Sequence, residues 1–283
     1  MEYAGREWFY SYRKLFGICT EQKLVSTKNR ILSQYSTLTK NWNTTTNSEW
    51  TCRHYLATKM ILNATVLTNA LDYSSEVGMR IANPYFEYYA TLSLLRALVY
   101  TIPSESWSDG ELMSISHSKA INVAFDWIAK LDVVTANRLK RLAQQLKAQR
   151  EVVSYKAPAS GDSILDNSYD LFELLIILAE AAQFNSELLE ASVNRNASPE
   201  SFFVEYGNIQ QISKFEIEGF SFSDPEDSHR LDYISRKQPR PLNLALTMTE
   251  GQTEDFIGAW DGEEEGMFNN GSPLDWQEIF DIP

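Results

Sequence analysis

Five cations on one predicted helix are the residues of this sequence best suited to chemistry. They fall between positions 138 and 150. Clustered cations release counterions from a nucleic-acid backbone, so this helix could bind RNA or DNA. Two other interpretations fit the same pattern: a solvated helix face, or a surface that receives the acidic C-terminal segment of this chain or of a neighbour. The five residues are Arg138, Lys140, Arg141, Lys147 and Arg150.

Motifs for catalysis and for cofactor binding are absent from the sequence. It contains no phosphate-binding Gly-rich loop, no paired Cys motif, no His-Glu-x-x-His and no Gly-x-Ser-x-Gly. Cys52 and His54 offer two ligands where a metal site needs three or four. The acidic stretch 224–229 is more typical of a solvated turn than of a cation site. The sequence therefore predicts no metal site and no cofactor.

Composition is that of an intracellular globular protein. A chain of 283 residues with 43% hydrophobic residues can bury a full core in one or two domains. Two cysteines cannot make a disulfide framework, and Met1 is not followed by a signal-peptide pattern, so we expect a cytoplasmic location. The most apolar run, 171–182, is shorter than the roughly 20 residues of a membrane span, so we expect no membrane association.

The elements that must position these cations are helices. Over residues 1–156, apolar residues recur at spacings of three and four with almost no Gly or Pro. One predicted helix runs on from Tyr55, and the next begins at Pro84 and ends at Pro103. Two apolar stripes are expected to pack on each other: Tyr85, Tyr89, Leu92 and Leu95 against Ile121, Phe125 and Ile128.

The second half has a different pattern. Pro158, Ser160 and Gly161 indicate a linker at 157–162, followed by a hydrophobic helix from Tyr169 to Val193 that the polar cluster 166–168 opens. Beyond it, Phe215–Phe222 and Leu242–Thr249 alternate with a period of two, as half-buried strands do. A small hairpin or sheet appended to a helical body is the prediction.

The segment 83–131 resembles the paired helices of the HEPN superfamily, and its YaaC-like branch is the most similar in layout. A Tyr88-Tyr89-Ala90 helix runs through Arg96-Ala97-Leu98, and the next helix opens near His117 with Phe125 further along. The resemblance implies a HEPN-like helical bundle. Because many HEPN proteins are ribonucleases, it also implies nucleic acid as a ligand class.

The resemblance singles out Arg96 and His117 as candidate catalytic residues. In HEPN ribonucleases an Arg and a His lie a few positions apart on one helix, where the Arg stabilises charge and the His moves a proton. No such spacing exists here, and Ser93 stands where a His is often found. We expect Arg96 to be a helix-flank cation paired with an acid and His117 a capping-region residue. The alternative is a phosphate or nucleotide site across the helix pair.

Charge divides the chain into two halves of opposite sign. Residues 1–156 carry 19 Lys and Arg against 13 Asp and Glu, a net charge of +6, which leaves 6 against 25, a net charge of −19, for 157–283. Residues 250–283 hold ten acids and no Lys or Arg. A purely solvating segment has few aromatics, so we expect this one to dock in apolar grooves of the chain or of a partner through Trp260, Phe268, Trp276 and Phe280.

These patterns predict a mainly α protein with a HEPN-like body (1–156), a helix and small β extension (163–249) and an acidic aromatic tail (250–283). The function they favour is a non-catalytic interaction protein that assembles with itself or with a partner. The resemblance alone implies the process, a nucleic-acid-directed one such as defence or toxin control. Two alternatives stay open: a ribonuclease with a site across helices or subunits, and an acidic decoy of a nucleic-acid-binding protein.

Overall fold

The computed structural model describes residues 2–3, 6–7, 12–248 and 251–260 and shows a mainly α-helical protein, as predicted. The helices are α1 (Arg13–Gly17), α2 (Glu21–Thr39), α3 (Thr44–Glu76), α4 (Asn83–Tyr100), α5 (His117–Ile128), α6 (Val133–Lys156), α7 (Leu171–Asn196), α8 (Tyr206–Ser213), α9 (Pro225–Lys237), α10 (Leu244–Thr247) and α11 (Gln252–Gly258). The strands form two antiparallel pairs: β1 (Glu2–Tyr3) with β2 (Arg6–Glu7), and β3 (Lys214–Ile217) with β4 (Phe220–Ser223). Within these ranges no helix is long and apolar enough to cross a membrane.

Local sequence signals set the ends of the long helices. Pro84 lies in the first turn of α4, and that helix ends three residues before Pro103, as predicted. The start of α7 differs from the prediction, since Asp170 and not the cluster 166–168 caps it, accepting the backbone N–H of Glu173 at 2.9 Å. Within that cluster Asp166 instead bonds the Ser168 N–H and hydroxyl, which closes a turn.

Helix α7 lies at the centre of the core. Every residue from Leu174 to Val193 is buried, as expected of a helix that is covered on all sides. It packs against α1, α2, α4 and α10, while α3 packs along α4. One continuous cluster of buried apolar residues therefore includes side chains from both sides of the 157–162 connection.

The predicted packing of α4 on α5 is confirmed for its buried members. Leu92 and Leu95 on α4 and Ile121, Phe125 and Ile128 on α5 are all buried, and the two helices are in contact. The aromatic members were assigned wrongly: Tyr89 is 38% exposed and Tyr85 is half-buried, whereas Tyr88 is fully buried. The reason is that α3, α5, α6 and α7 all pack on α4, so its buried surface is wider than one stripe.

The single strand predicted over 215–222 is instead a hairpin of two short strands, β3 and β4. Phe215 pairs with Phe222 and Ile217 with Phe220 across the antiparallel ladder. Glu218 (φ 52°) and Gly219 (φ 84°) form the turn, the positive-φ pair that a two-residue hairpin loop favours. The strands are not half-buried as predicted, because all eight of their residues are exposed.

The strand predicted at 242–249 is wrong. The segment contains the short helix α10, which Asn243 caps by accepting the backbone N–H of Leu246 at 3.1 Å. Leu244, Ala245 and Met248 are buried against the body. That spacing of one and four residues is helical. The large apolar residues at every second position of 242–248 imitated the period of a strand.

Candidate functional site

Three helices bring several cations and two aromatic residues to one place. Helices α4, α5 and α6 pack on one another, and the hydroxyls of Tyr85 on α4 and Ser154 on α6 lie 3.2 Å apart. The first half of α4 therefore lies against the second half of α6. The start of α5 meets the same place, where Tyr88, Arg96, His117, Lys147 and Arg150 form what we call the basic cluster.

His117 is held by a buried tyrosine. Ser116 caps α5, which makes His117 its first residue, and His117 Nδ1 lies 2.7 Å from the Tyr88 hydroxyl oxygen. Burial raises the pKa of Tyr88 to about 12, so this hydroxyl keeps its proton. His117 therefore lies directly after the capping residue of α5, in the capping region where the sequence analysis expected it.

Positive neighbours reinforce the neutral state of His117. Burial lowers the pKa of its imidazole, and the charges of Arg96, Lys147 and Arg150 lower it further, while Glu151 opposes them. Arg96 therefore lies close enough to act on His117 although the two residues belong to different helices. The structure thus brings together the two residues that the resemblance singled out.

The arginines of the basic cluster keep unused donors. The Arg150 guanidinium lies 5.2 Å from the ring centre of Tyr88 and 5.9 Å from that of Tyr89, within the range of cation–π attraction. Both Arg96 and Arg150 have a buried Nε–H without a hydrogen-bond partner. Among the described residues, Glu151 is the one carboxylate within 4 Å of the cluster's cations, 3.6 Å from Arg150 and 3.9 Å from Lys147.

The other predicted cations of α6 lie outside the basic cluster. Arg138 faces α7, where two hydrogen bonds of 2.6 Å join it to the carboxylate of Glu173 and raise the pKa of the guanidinium. Lys140 is half-buried and Arg141 is exposed. A helix turns by about 100° per residue, so the spacings between these five cations place them on different faces of α6.

The residues considered as metal ligands have structural roles. His54 is buried and its Nδ1 lies 2.5 Å from the carbonyl oxygen of Leu242. Asp224 caps α9, and Asp227 forms a buried ion pair with Lys59. Over the described ranges no group of three or more His, Cys, Asp or Glu side chains is arranged to hold a metal ion.

Only the beginning of the predicted acidic tail is described. Helix α11 packs against α3, with Phe256 half-buried against the core. Asp255 pairs with Arg230 of α9 and not with α6, where the tail was expected to bind. Trp260 is 63% exposed, so it does not fill a groove in the described part of the chain. The remaining predicted anchors lie outside the described residues: Phe268, Trp276 and Phe280.

Sequence reasoning missed the surface that the hairpin presents. One face of the β3–β4 ribbon carries only apolar side chains, which are 43–69% exposed, and the rings of two of them stack at 5.6 Å. They are Phe215, Ile217, Phe220 and Phe222. The opposite face carries Lys214, Glu216, Ser221 and Ser223. The alternation revealed the two faces, but nothing in it showed that the apolar face points away from the core.

No protein-family model, curated protein or solved structure matches this chain. The HEPN resemblance accordingly rests on the residues between 83 and 131 alone.

Proposed function

We propose that this protein is a non-catalytic, HEPN-like interaction protein that assembles with itself through the β3–β4 hairpin. The exposed apolar face of that hairpin is the observation that carries the proposal. The resemblance of residues 83–131 supplies the setting, a nucleic-acid-directed process such as defence or toxin control.

The argument for assembly is the unfavourable free energy of exposing the apolar face of the hairpin to water. Soluble monomers rarely expose contiguous apolar patches of large side chains, and those that do use them as interaction sites. The hairpin also has two open edges whose backbone groups can pair with another strand. Two copies related by a twofold axis would offer each other the same apolar set, so one contact would cover both faces.

The argument against catalysis is the chemistry of the basic cluster. General acid–base catalysis is most effective when the pKa of the catalytic group is near the working pH. The pKa of Tyr88 is raised to about 12, and Arg96 and His117 stand on different helices and not at the spacing that HEPN ribonucleases use. A ribonuclease is the second candidate function, and the closeness of Arg96 to His117 favours it.

Mass measurements on matched hairpin variants test the assembly. The double variant Phe220→Ser, Phe222→Ser should weaken self-association by at least on the order of 1000-fold, because each copy loses two Phe and each buried Phe contributes about 2 kcal/mol. The control Glu216→Gln, Ser221→Ala changes the polar face of the same strands and should leave association intact. Sedimentation equilibrium gives both values.

Two results would contradict the proposal. A wild-type chain that stays monomeric up to about 100 μM, far above a typical specific affinity, would remove self-assembly through the hairpin. Metal-independent cleavage of mixed RNA that is lost in His117→Ala would show that the ribonuclease candidate is correct instead.

A further inference from the structure

An apolar groove lies where the end of α3 meets the end of α6. We propose that this groove is the docking site of segment 274–282 of the same chain, with Trp276, Ile279 and Phe280 as anchors. The contact lies within one chain and does not depend on assembly through the hairpin.

Two loops form the walls of the groove. One connects α3 to α4 and the other follows α6, and an ion pair of 3.5 Å between Arg80 Nη1 and Asp162 Oδ1 joins them. The apolar side chains that line the groove are Met79, Ile81, Pro84, Val153 and Leu165. Its volume is about 390 Å³, within the range of about 300 to 1,000 Å³ in which proteins bind organic groups. The groove therefore has room for large side chains.

Apolar side chains at the groove are exposed in the described part of the chain. Met79 and Ile81 in the first loop are more than half exposed, and so are Tyr155 and Ile164 at the two sides of the second loop. Soluble proteins rarely expose several large apolar side chains together unless they bind something there. This surface therefore calls for an apolar occupant.

The C-terminal segment of the chain can reach the groove. Gln252 of α11 donates a hydrogen bond to Thr58 Oγ1 of α3 at 3.4 Å, and α3 continues from Thr58 to Glu76, about 27 Å at 1.5 Å per residue. Residues 261–273 can span up to roughly 45 Å. Segment 274–282 can therefore lie in the groove of its own chain.

The order of residues in segment 274–282 suits a groove with one apolar side. Trp276, Ile279 and Phe280 are three and four positions apart, the spacing by which an amphipathic helix inserts one face into an apolar groove. On the same pattern the acids take the opposite face, where they stay in water. These acids are Asp275, Glu278 and Asp281.

Cations at the rim of the groove favour an acidic occupant. Arg80 lines the groove and is 69% exposed, and Lys156 is exposed next to the lining residue Ala157. Asp162 is the one acid among the described lining residues, and it pairs with Arg80. Exposed ion pairs add little free energy, so the apolar anchors determine the affinity and the cations favour the orientation.

The groove and the hairpin lie at opposite ends of α3. Ser48, near the start of α3, accepts the backbone N–H of Glu205 at 2.8 Å. Helix α8 begins at the next residue, and the hairpin follows it directly. The groove begins where α3 ends. One chain can therefore dock its segment and assemble through the hairpin at the same time.

Cleavage after Glu278 by a glutamate-specific endoproteinase tests the docking, because a docked segment must leave the groove before the enzyme can cut it. Each rate is divided by that of the matching free peptide, which corrects for the preference of the enzyme. The double variant Trp276→Ala, Phe280→Ala should be cut at least about 10-fold faster than the wild type, since it loses two large anchors. Phe268→Ala makes the same kind of change outside the segment and should be cut at the wild-type rate.

A second pair of variants tests the groove itself. Ile81→Glu places a charge against the anchors and repels the acids of the segment, so cleavage after Glu278 should again rise about 10-fold or more. Val134→Glu is the matched control, because Val134 is 76% exposed at the other end of α6 and Ile81 is 73% exposed. It should leave the rate unchanged. Circular dichroism should show that both variants unfold at the wild-type temperature.

Protein concentration shows whether the segment docks on its own chain. A contact within one chain does not depend on concentration, so the wild-type rate should be constant from about 1 to 100 μM.

Three outcomes would overturn the proposal. The first is wild-type cleavage after Glu278 as fast as in the Trp276→Ala, Phe280→Ala variant. The second is that Ile81→Glu changes the rate no more than Val134→Glu does, which would place the segment elsewhere. The third is protection that increases with protein concentration, which would mean that a second copy supplies the segment.

Discussion

His54 shows how one buried side chain ties the C-terminal part of the chain to the body. A carbonyl oxygen can only accept a hydrogen bond, so the 2.5 Å contact with Leu242 means that Nδ1 of His54 donates. Its Nε2 is buried without a partner among the described atoms. Burial lowers the pKa of this imidazole to about 4, and the folded protein therefore holds His54 neutral.

The free energy of unfolding should decrease when the pH is lowered, because the folded chain holds His54 neutral. Its pKa is about 4 in the folded chain and about 6.5 in the unfolded chain, so the unfolded state binds the proton first as the pH decreases. The contribution of neutral His54 is complete above pH 6.5 and is lost progressively towards pH 4, by roughly 3 kcal/mol in all. Urea unfolding at several pH values measures it.

The variant His54→Asn provides the control for this pH dependence. Asn can still donate to the Leu242 carbonyl but does not titrate. The stability of the variant should therefore fall less than that of the wild type between pH 6.5 and 4. An identical pH profile in wild type and variant would show that His54 does not contribute.

At the scale of elements, α10 depends on polar side chains of α7. Asn243 is fully buried: its Nδ2 donates to Glu190 at 2.7 Å, and its Oδ1 accepts from Gln183 at 3.0 Å. Gln183 and Ser186 accept the first backbone N–H groups of the α10 segment, at 3.0 and 3.1 Å. The polar side chains of α7 therefore hold the capping residue Asn243 and satisfy the backbone N–H groups that a four-residue helix leaves unpaired.

Asn243→Ala should destabilise the protein by roughly 2 to 4 kcal/mol. The substitution removes a helix cap and also the buried side-chain hydrogen bonds that Asn243 makes with Glu190 and Gln183. Asn43→Ala is the matched control, because Asn43 caps α3 at an exposed position and its loss should cost only about 1 kcal/mol. Equal losses in chemical denaturation would contradict this account of α10.

At the scale of the whole molecule, the change of charge at 157–162 does not coincide with an edge of the core. Helix α7 follows this connection and packs between elements that precede it, among them α2 and α4. The basic and acidic halves therefore share one set of buried side chains. The sign of the charge describes the surface of each half, whereas folding depends on both.

A fragment of residues 1–156 should fail to fold cooperatively. Without α7, the apolar faces of α2 and α4 that cover it would be open to water. Circular dichroism should show reduced helicity and a broad thermal transition, in contrast to the sharp transition of the full chain. A fragment that unfolds as sharply as the full chain would establish that the first half is an independent domain.

The sequence by itself determined the local structure. Apolar spacing predicted helices within α3 to α7, and Pro84 and Pro103 predicted the two ends of α4. The alternation of residues 215–222 predicted β structure there, although as one strand and not two. These signals depend on residues within a few positions of one another, so they can be recognised without the tertiary structure.

Only the tertiary structure decided which faces are covered and which side chains meet. The apolar face of the hairpin points outward, Tyr88 is buried where Tyr89 is not, and Asn243 became the cap of a helix because α7 supplies its partners. The basic cluster likewise joins Arg96, His117 and Arg150 from three helices. Such contacts depend on the rotation and crossing angle of each helix. Packing between residues far apart in the chain determines both, so a local sequence pattern does not predict them.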